Sequence, residues 1–280
     1  MGKTSKSVQM EVVLSHSESL PEVDVWLIVD ILRATTVMVS WFAAGGAKLY
    51  PAASAEAARE LAESLKLEGE NPLLMGERNA VAPEGFDLGN SPLDITPELV
   101  RKHSCAVMAT TNGTKAVLKA SATGAPVLAA CARNAPAALT AALTRGSRVG
   151  ILCSGRLERP SWDDTLCAGL LVACLKENCS GAHLADGARL AHLTWLASKD
   201  FRASLRSADH AFFLEKSGFG GDLDFAAEIG VTRVVPELHD MPGGTRAMLC
   251  WTGDGKKTLA PPGPPPGLEG MYGNTIGDNK

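Results

Sequence analysis

Short apolar runs alternate with segments of helical periodicity along roughly the first half of the chain. The apolar runs lie at residues 23–30, 105–109 and 148–153, and Ser54 is placed to cap an amphipathic helix rich in Ala and Leu. Strands that alternate with helices form a mostly parallel sheet, because a crossover helix lets each new strand run in the same direction. The pattern therefore predicts an α/β fold with a mostly parallel, mixed sheet that is covered by helices.

Residues 1–252 carry this pattern and are predicted to form a single α/β domain, with two subdomains that divide near residues 150–160 as the alternative. The composition is helical over residues 161–229, before a last strand that is predicted at 233–235. Residues 253–280 are rich in Pro and Gly and contain few apolar side chains, so we expect a disordered tail.

The charge and the apolar pattern exclude several classes of partner. The chain of 280 residues has a formal net charge of −4, which gives no reason to expect nucleic acid as a partner. No apolar run approaches the ~20 residues of a membrane span, and the N-terminus lacks the pattern of a signal peptide. The seven cysteines form no C-x-x-C pair and are typical of reduced thiols. We therefore expect a soluble, cytoplasmic protein that does not enter a membrane.

The first candidate site residues end or follow the apolar run at residues 23–30. Asp30, Arg33, Thr35 and Thr36 stand where a buried strand would end and a helix would begin. Ligands of open α/β folds bind at that edge of the sheet, where helix N-termini and Arg favour phosphate and Asp can hold a metal. The alternative is that Asp30 caps the helix and Arg33 lies on the surface.

A second group of polar residues directly follows the apolar run at residues 105–109. It consists of Thr110, Thr111, Asn112, Gly113 and Thr114. Hydroxyl and amide groups around a Gly at a strand-to-helix turn can cradle an anion. Helix capping is the simpler alternative, but one residue would suffice for it, so the longer polar run favours binding.

A long loop without apolar periodicity occupies residues 76–92. Long loops in compact domains are commonly functional. In this loop Glu77 could ligate a metal while the adjacent Arg78 meets phosphate, and Asp87 and Asn90 lie further along. A solvated loop with paired surface charges is the alternative.

Two alternative sites overlap in the segment that begins at Cys153. Cys153 and Arg159 have the C-x₅-R spacing of cysteine-dependent phosphatases, in which loop N–H groups lower the thiol pKa and the Arg grips phosphate. The match is incomplete, because Leu152 precedes the Cys where a His is usual. In the second alternative, Asp163 and Asp164 supply metal ligands near the start of a helix.

Together these segments resemble the 2-phosphosulfolactate phosphatase family, which is known from coenzyme M biosynthesis and is also present in bacteria. The matching segments span most of residues 23–236 and read VDILRATT, GERNAVAPEGFDLGNSP, ATTNGTKAV, ILCSGRLERPSWDDTLCAGLL and RSADHAFFLEKSGFGGDLDFAAEIGVTRVVP. The resemblance implies an α/β phosphatase fold of the family's own type, dependence on Mg²⁺, a homodimer, and hydrolysis of phosphosulfolactate to sulfolactate and phosphate.

The resemblance also implies a set of site residues. Those implied in catalysis are Asp30, Arg33, Glu77 and Asp164, of which Asp30, Glu77 and Asp164 would ligate the metal. The substrate would be bound by Arg33, Thr35, Thr36, Arg78, Asn90, Thr110, Thr111, Asn112, Gly113, Thr114, Ser154 and Gly155. Asp163 stands where the family has Glu, so Asp164 is the better supported member of that pair.

The mechanism that these residues favour is metal-assisted transfer of a phosphoryl group from a small anionic phosphate ester to water. Mg²⁺ needs only a few carboxylates plus a phosphate oxygen, and Arg33 or Arg78 would hold the equatorial phosphoryl oxygens. Two rival functions remain, a Cys153-dependent phosphatase and a protein that binds a phosphorylated metabolite without turnover. A pure anion binder gains nothing from converging carboxylates, which favours the metal-dependent enzyme.

Overall fold

The computed structural model describes residues 7–251. Ten strands in this part of the chain form one mixed sheet, which confirms the predicted α/β fold. The strands are β1 (Gln9–Val13), β2 (Val25–Val29), β3 (Leu49–Ala52), β4 (Pro72–Gly76), β5 (Cys105–Ala109), β6 (Val127–Ala130), β7 (Arg148–Cys153), β8 (His183–Leu184), β9 (Pro236–Asp240) and β10 (Arg246–Cys250).

The sheet consists of two groups of parallel strands joined by an antiparallel hairpin. Its order is β4-β5-β3-β10-β9-β6-β2-β7-β1-β8, in which β4, β5 and β3 are parallel to one another, as are β6, β2, β7, β1 and β8. The hairpin β9–β10 lies between the groups and pairs antiparallel with β6 and with β3, so the two groups run in opposite directions. Strand twist of about 20–25° per step accumulates across the hairpin. The segments that follow β2, in one group, and β4 and β5, in the other group, line one cavity.

Helices connect the parallel strands and cover the sheet. They are α1 (Ala34–Ala43), α2 (Ala55–Leu67), α3 (Pro97–Val100), α4 (Gly113–Ser121), α5 (Ala135–Leu143), α6 (Trp162–Asn178), α7 (Asp186–Ala197), α8 (Phe201–Arg206), α9 (Asp209–Lys216) and α10 (Gly220–Ala226). Over residues 7–251 none of these helices combines the length and the apolar character that crossing a bilayer requires.

Strand β2 lies at the centre of one parallel group and is buried on both faces. Val25, Leu27 and Val29 point into a core that includes apolar residues of α5 and α6. Trp26 and Ile28 point into a second core, formed with α1 and α4. This alternation is the period of two that a strand imposes, and burial on both faces explains the continuous apolar run in the sequence.

Helix α2 shows how the local sequence specifies an element. The Ser54 hydroxyl accepts the Ala57 N–H at 3.1 Å, which confirms Ser54 as the N-cap. Ala58, Ala62 and Leu65 are buried, and their spacing of three and four residues places them on one face.

The end of the chain differs from the prediction. The predicted last strand at residues 233–235 is wrong, because the chain there is irregular and the strands that follow it are β9 and β10. Strand β9 reads PELHD, so no apolar run marks it, and its pairing with β10 supplies the order. The predicted disordered tail at 253–280 lies outside the described residues, and the single domain with its alternative division near 150–160 stays a prediction.

Candidate active site

The turn after β2 is built by its own side chains. Asp30 follows five buried apolar residues and is itself only 8% exposed. The Ala34 N–H donates to Asp30 Oδ1 at 3.1 Å, so this carboxylate caps the turn that leads into α1. The Asp30 N–H donates to Thr35 Oγ1 at 3.1 Å, and the Thr36 hydroxyl donates to the Ile31 carbonyl at 2.7 Å.

Thr35 and Thr36 have a structural role in the turn after β2. Both are fully buried, and both hydroxyls bond the backbone of the turn that carries Asp30. Neither residue lines the cavity beside this turn. Their hydroxyls shape the turn that carries Asp30, and direct substrate contact by these two residues stays a prediction.

An open cavity of about 150 Å³ lies beside Asp30. It is formed by the segments after β2, β4, β5 and β7 together with helix α9. Its lining residues are Asp30, Leu32, Arg33, Glu77, Asn79, Ala80, Asn90, Thr111, Asn112, Arg156, Leu157, His210 and Phe213. The cavity thus brings together Asp30 and Glu77, two of the three residues predicted as metal ligands.

Glu77 links the loop after β4 to the turn after β5. Its Oε1 accepts the Thr111 N–H at 2.7 Å, and its Oε2 accepts the Ala80 N–H at 3.2 Å. Gly76 precedes it with a φ of +150°, and a Cβ at Gly76 would lie 1.9 Å from the Ala109 carbonyl oxygen. Only Gly allows the ends of β4 and β5 to approach this closely, and that approach fixes Glu77 at the cavity.

The polar run after β5 divides between two roles. The Thr114 N–H donates to Thr110 Oγ1 at 3.1 Å, and the Thr110 N–H donates to Thr114 Oγ1 at 3.2 Å. These two buried residues bond each other at the start of α4, as the capping alternative proposes, and they do not line the cavity. Thr111 and Asn112 do line it and stay candidates for substrate binding.

Gly113, Ser154 and Gly155 are buried and do not line the cavity, and substrate binding by these residues stays a prediction. The Ser154 hydroxyl donates to the Val29 carbonyl at 3.0 Å. Gly155 has a φ of +69°, and a Cβ there would lie 2.3 Å from the Arg159 carbonyl oxygen. A tight turn explains this Gly without any ligand.

Asp164 is buried outside the cavity, and its carboxylate connects two turns. Its Oδ1 accepts the Ile31 N–H and its Oδ2 accepts the Gly155 N–H, both at 3.0 Å. Burial raises the pKa of Asp164 well above its ordinary value, and the carboxylates of Asp163 and Asp30 raise it further. Asp164 therefore joins the ends of β2 and β7. Unlike Asp30 and Glu77, Asp164 does not line the cavity.

Arg33 lines the cavity, but a buried ion pair holds its guanidinium. Its Nη1 lies 2.7 Å from Asp222 Oδ2, and its Nη2 donates to the Ala80 carbonyl at 3.3 Å. The Phe219 ring centre lies 4.3 Å from Arg33 Cζ. The Ser91 hydroxyl donates to the other Asp222 oxygen at 2.6 Å. The charge of Arg33 is therefore balanced within the protein, by an aspartate that the sequence analysis did not assign to the site.

Arg156, rather than the predicted Arg78, lines the cavity. Arg78 does not line the cavity, and its Nη1 donates to the backbone carbonyl of Glu77 at 2.7 Å. Arg156 lines the cavity, with its guanidinium 5.5 Å from the Phe213 ring centre. Within residues 7–251 the structure shows no ion pair for Arg156. It therefore presents an uncompensated positive charge to a ligand.

His210 and Asp163 complete the group of polar residues at this site. His210 lines the cavity, and its Nδ1 lies 3.4 Å from Asp163 Oδ2. The other Asp163 oxygen, Oδ1, is buried without a hydrogen-bond partner. The six His in the sequence form no motif, so only the packing of α9 against α6 could reveal this pair.

Neighbouring carboxylates affect the pKa of Asp30. Burial raises the pKa of Asp30, and the negative charges of Asp163 and Glu77 add to that rise. The Ala34 N–H and the nearby His210 oppose it without cancelling it. A positive charge placed among these groups would relieve the repulsion and favour the ionised form of Asp30.

The donor atoms at the cavity suit a hard cation, although they are not gathered into a preformed centre. Across the described part of the chain, no three His, Cys, Asp or Glu side chains are close enough together to hold a metal ion. However, Asn90 Oδ1 is buried without a hydrogen-bond partner, and Asn90 lines the same cavity as Asp30 and Glu77. Carboxylate and amide oxygens of this kind are ligands that Mg²⁺ and Ca²⁺ accept.

Cys153 does not have the properties of a nucleophile. It is fully buried at the end of β7 and does not line the cavity. Burial raises the pKa of its thiol well above the ordinary value, and the carboxylates of Asp164 and Asp163 raise it further. Reactive cysteines require a lowered thiol pKa and access to the substrate, so the structure contradicts the Cys153-dependent alternative.

Comparison with known proteins identifies relatives over nearly the whole described chain. A family model described as 2-phosphosulpholactate phosphatase matches residues 11–241. A probable 2-phosphosulfolactate phosphatase of Pseudothermotoga lettingae is 34% identical over 226 residues, which cover 80% of this chain and 93% of that protein. Proteins of the same name from Deinococcus radiodurans and Thermus thermophilus are each 35% identical, over 231 and 237 residues. These matches cover 81% and 84% of this chain, and 94% and 97% of the relatives.

Proposed function

The chain belongs to the 2-phosphosulfolactate phosphatase family, and we propose that it is a Mg²⁺-dependent phosphoric monoester hydrolase. Its substrate is 2-phosphosulfolactate or a similar small phosphorylated hydroxy acid, and its products are the hydroxy acid and inorganic phosphate. The observation that carries the proposal is that Asp30, Glu77 and Arg156 line one cavity. Carboxylates for a cation and a guanidinium for an anion are the groups on which phosphoryl transfer depends.

The cavity has room for a small substrate. Its volume is about 150 Å³, and it adjoins a cleft of about 630 Å³ that shares Arg156, Leu157 and His210. A phosphorylated hydroxy acid carries two or three anionic groups on a short carbon chain and needs little space. Its recognition therefore depends on charge rather than on apolar area.

Asp30, Glu77 and Asn90 are the residues that would hold Mg²⁺. Mg²⁺ is commonly held by one or two carboxylates together with water and substrate phosphate oxygens. When bound, the ion supplies a Lewis acid at the phosphoryl group and makes a coordinated water more acidic. The family resemblance implies Asp164 as a third ligand. In this structure Asp164 accepts the Ile31 N–H and would thereby hold the backbone next to Asp30 in place.

Arg156, Thr111 and Asn112 would bind the anionic groups of the substrate. A guanidinium can donate two parallel hydrogen bonds to a phosphate, carboxylate or sulfonate, and Arg156 has no carboxylate competing for it among the described residues. Arg33 adds a fixed positive charge in the wall of the cavity while Asp222 keeps its guanidinium in place. In a partly enclosed site these charges act more strongly than they would in water.

The proposal is tested by measuring inorganic phosphate release from a panel of phosphorylated hydroxy acids, with Mg²⁺ and with EDTA. We expect release from at least one ester carrying a sulfonate or a second carboxylate, abolished by EDTA and restored by Mg²⁺. Esters that bind without releasing phosphate would favour the non-catalytic binding protein. Full activity in metal-free protein would overturn the metal-dependent mechanism.

The Glu77→Gln variant tests Glu77 as a metal ligand. It keeps the size of the side chain but removes the charge and one of the two oxygens that accept the Thr111 and Ala80 N–H groups. We expect phosphate release to fall ~10²-fold or more, with an unchanged circular dichroism spectrum. Glu63→Gln, in an exposed ion pair on α2, is the matched control and should behave like the parent.

The homodimer and the cytoplasmic location also stay predictions. Light scattering of the purified protein measures its mass in solution and tests the homodimer. Fractionation of the producing cells tests the location.

A further inference from the structure

The proposed reaction contains a step that the residues assigned above do not assist. Cleavage of a phosphate ester of a hydroxy acid releases the oxygen of an aliphatic alcohol. An aliphatic alkoxide is a poor leaving group, so protonation of the ester oxygen as the bond breaks lowers the barrier. Arg33 and Arg156 cannot give up a proton at ordinary pH, which leaves few proton donors at the cavity.

His210 is positioned to supply that proton. It lies in the first turn of α9, and it lines the cavity together with Phe213, one turn further along the same helix. The first turn of α9 therefore faces the substrate space. The side chain of His210 is 24% exposed, so its ring can reach a ligand in the cavity. The charged groups lining the same cavity are Asp30, Glu77, Arg33 and Arg156.

Asp163 lies beside the His210 ring. Its Oδ2 lies 3.4 Å from His210 Nδ1, so this carboxylate favours a proton on Nδ1 and leaves Nε2 on the opposite side of the ring for a ligand. The Asp163 side chain is only 3% exposed, and its Oδ1 has no hydrogen-bond partner. A buried carboxylate with one unsatisfied oxygen is costly to keep, unless it serves a positively charged or polar neighbour. The buried carboxylate and the half-buried imidazole have the arrangement by which many enzymes fix a catalytic histidine.

We propose that His210 is the general acid of this site and that Asp163 is its positioning residue; this inference rests on the proposed function. A water oxygen forms the new bond to phosphorus while the bond between phosphorus and the ester oxygen breaks. The electron pair of the broken bond stays on the ester oxygen, which takes the proton from His210 Nε2 and leaves as the alcohol. The attacking water retains one proton in hydrogen phosphate and gives the other to solvent, from which His210 is reprotonated. The balance is one ester and one water to one alcohol and one hydrogen phosphate.

The dependence on the leaving group tests this role. Phosphate release is measured for the parent and for His210→Gln, with the phosphorylated hydroxy acid that the parent hydrolyses fastest and with p-nitrophenyl phosphate. p-Nitrophenolate is a stable anion that leaves without a proton. We expect His210→Gln to lose about 10²- to 10⁴-fold in kcat on the hydroxy acid ester and much less on p-nitrophenyl phosphate. Asp163→Asn should show the same selectivity with a smaller loss.

Two controls establish that the loss belongs to the His210 imidazole. His239→Gln changes a half-exposed histidine outside the cavity and should leave both rates unchanged. His210→Asn provides a second, smaller replacement in case the Gln variant folds poorly, which thermal unfolding would reveal. Equal losses on both esters, or no loss on the hydroxy acid ester, would overturn the role of His210. If the parent itself releases no phosphate from any ester, the proposed function fails rather than this assignment within it.

Discussion

Gly113 lies directly against the carboxylate of Asp30. A Cβ built on Gly113 would lie 2.7 Å from Asp30 Oδ2 and 2.4 Å from the Cβ of Ala34. The first turn of α4 therefore packs onto the turn between β2 and α1. The absence of a side chain at Gly113 sets the space available to Asp30.

Gly113→Ala should displace Asp30 and reduce activity. The added methyl overpacks this contact, at a cost of about 1–3 kcal/mol in the free energy of unfolding. A displacement of Asp30 by a fraction of an ångström to 1 Å should lower kcat by about 10- to 100-fold. Gly181→Ala is the control, because nothing lies within 4 Å of a Cβ at that position. Both variants are compared by thermal unfolding and phosphate release, and full activity in Gly113→Ala would mean that the position of Asp30 is not critical.

The fold could be predicted from the sequence wherever burial leaves a continuous apolar run. Strands β5 and β7 have the predicted bounds, because both are apolar over most of their length and are followed directly by polar residues. Strands β8, β9 and β10 were not predicted. Strand β8 contains two residues, β9 is largely polar and β10 is exposed at both ends, so pairing with neighbouring strands rather than side-chain pattern defines them.

The site could be predicted in part from the polar residues that follow the strands. Asp30 and Glu77 directly follow β2 and β4 and line the cavity, whereas Thr110 and Ser154 directly follow β5 and β7 and do not. What the sequence cannot show is which partner a polar side chain has. Thr35 bonds the backbone of its own turn, and nothing in the local pattern separates this from ligand binding. His210 was missed because it lies in a helix, where the face that meets the cavity is set by packing.

Asp30→Asn should stabilise the metal-free protein at neutral pH. Burial raises the pKa of Asp30 above its ordinary value of 3.8, so the folded state favours the protonated form. The stability that this group contributes is complete below that ordinary value and is lost as the pH rises through the raised pKa. Asn resembles the protonated acid, so the increase in the free energy of unfolding of the variant over the parent should grow with pH. Each kcal/mol gained should raise the Tm by about 2–4 °C in a protein of this size.

The measurement is the Tm of parent and Asp30→Asn between pH 5 and 8, with EDTA and with Mg²⁺. Mg²⁺ should raise the Tm of the parent, since a ligand stabilises the state that binds it, and should raise that of the variant less. Asp186→Asn, at a side chain that is 97% exposed, is the control and should show no gain that depends on pH. A variant that is less stable than the metal-free parent at pH 8 would contradict the repulsion argued for these carboxylates.

Cys153→Ser should retain most of the activity. The side chain is buried away from the cavity, so the substitution should cost about 1–3 kcal/mol in the free energy of unfolding for a hydroxyl without a partner, and little in kcat. In the native parent, iodoacetamide should modify the exposed Cys250 well before Cys153, which peptide mass mapping would show. A loss of several orders of magnitude in kcat with an intact fold would restore the cysteine mechanism.

Asp222→Asn should be strongly destabilising, because it leaves the buried charge of Arg33 without its partner. Removal of one member of a buried ion pair costs about 3–5 kcal/mol in the free energy of unfolding. The amide retains the shape of the side chain and can still accept the Ser91 hydroxyl, so the loss reports the charge and the acceptor oxygen removed from Arg33. Glu98→Gln is the matched control: it breaks an exposed pair with Arg101 and should leave the free energy of unfolding nearly unchanged. Both values are measured by urea denaturation.

The double substitution Arg33→Met with Asp222→Leu distinguishes the two roles of this ion pair. Replacement of both partners by apolar residues of similar size removes the desolvated charges together, so much of the stability lost in Asp222→Asn should return. Phosphate release should not return, because the cavity then lacks the fixed positive charge of Arg33. If the double variant is stable and hydrolyses the ester with an unchanged KM, Arg33 serves only the fold. If it is stable with a KM raised by an order of magnitude or more, Arg33 contributes to substrate binding through the charge that Asp222 positions.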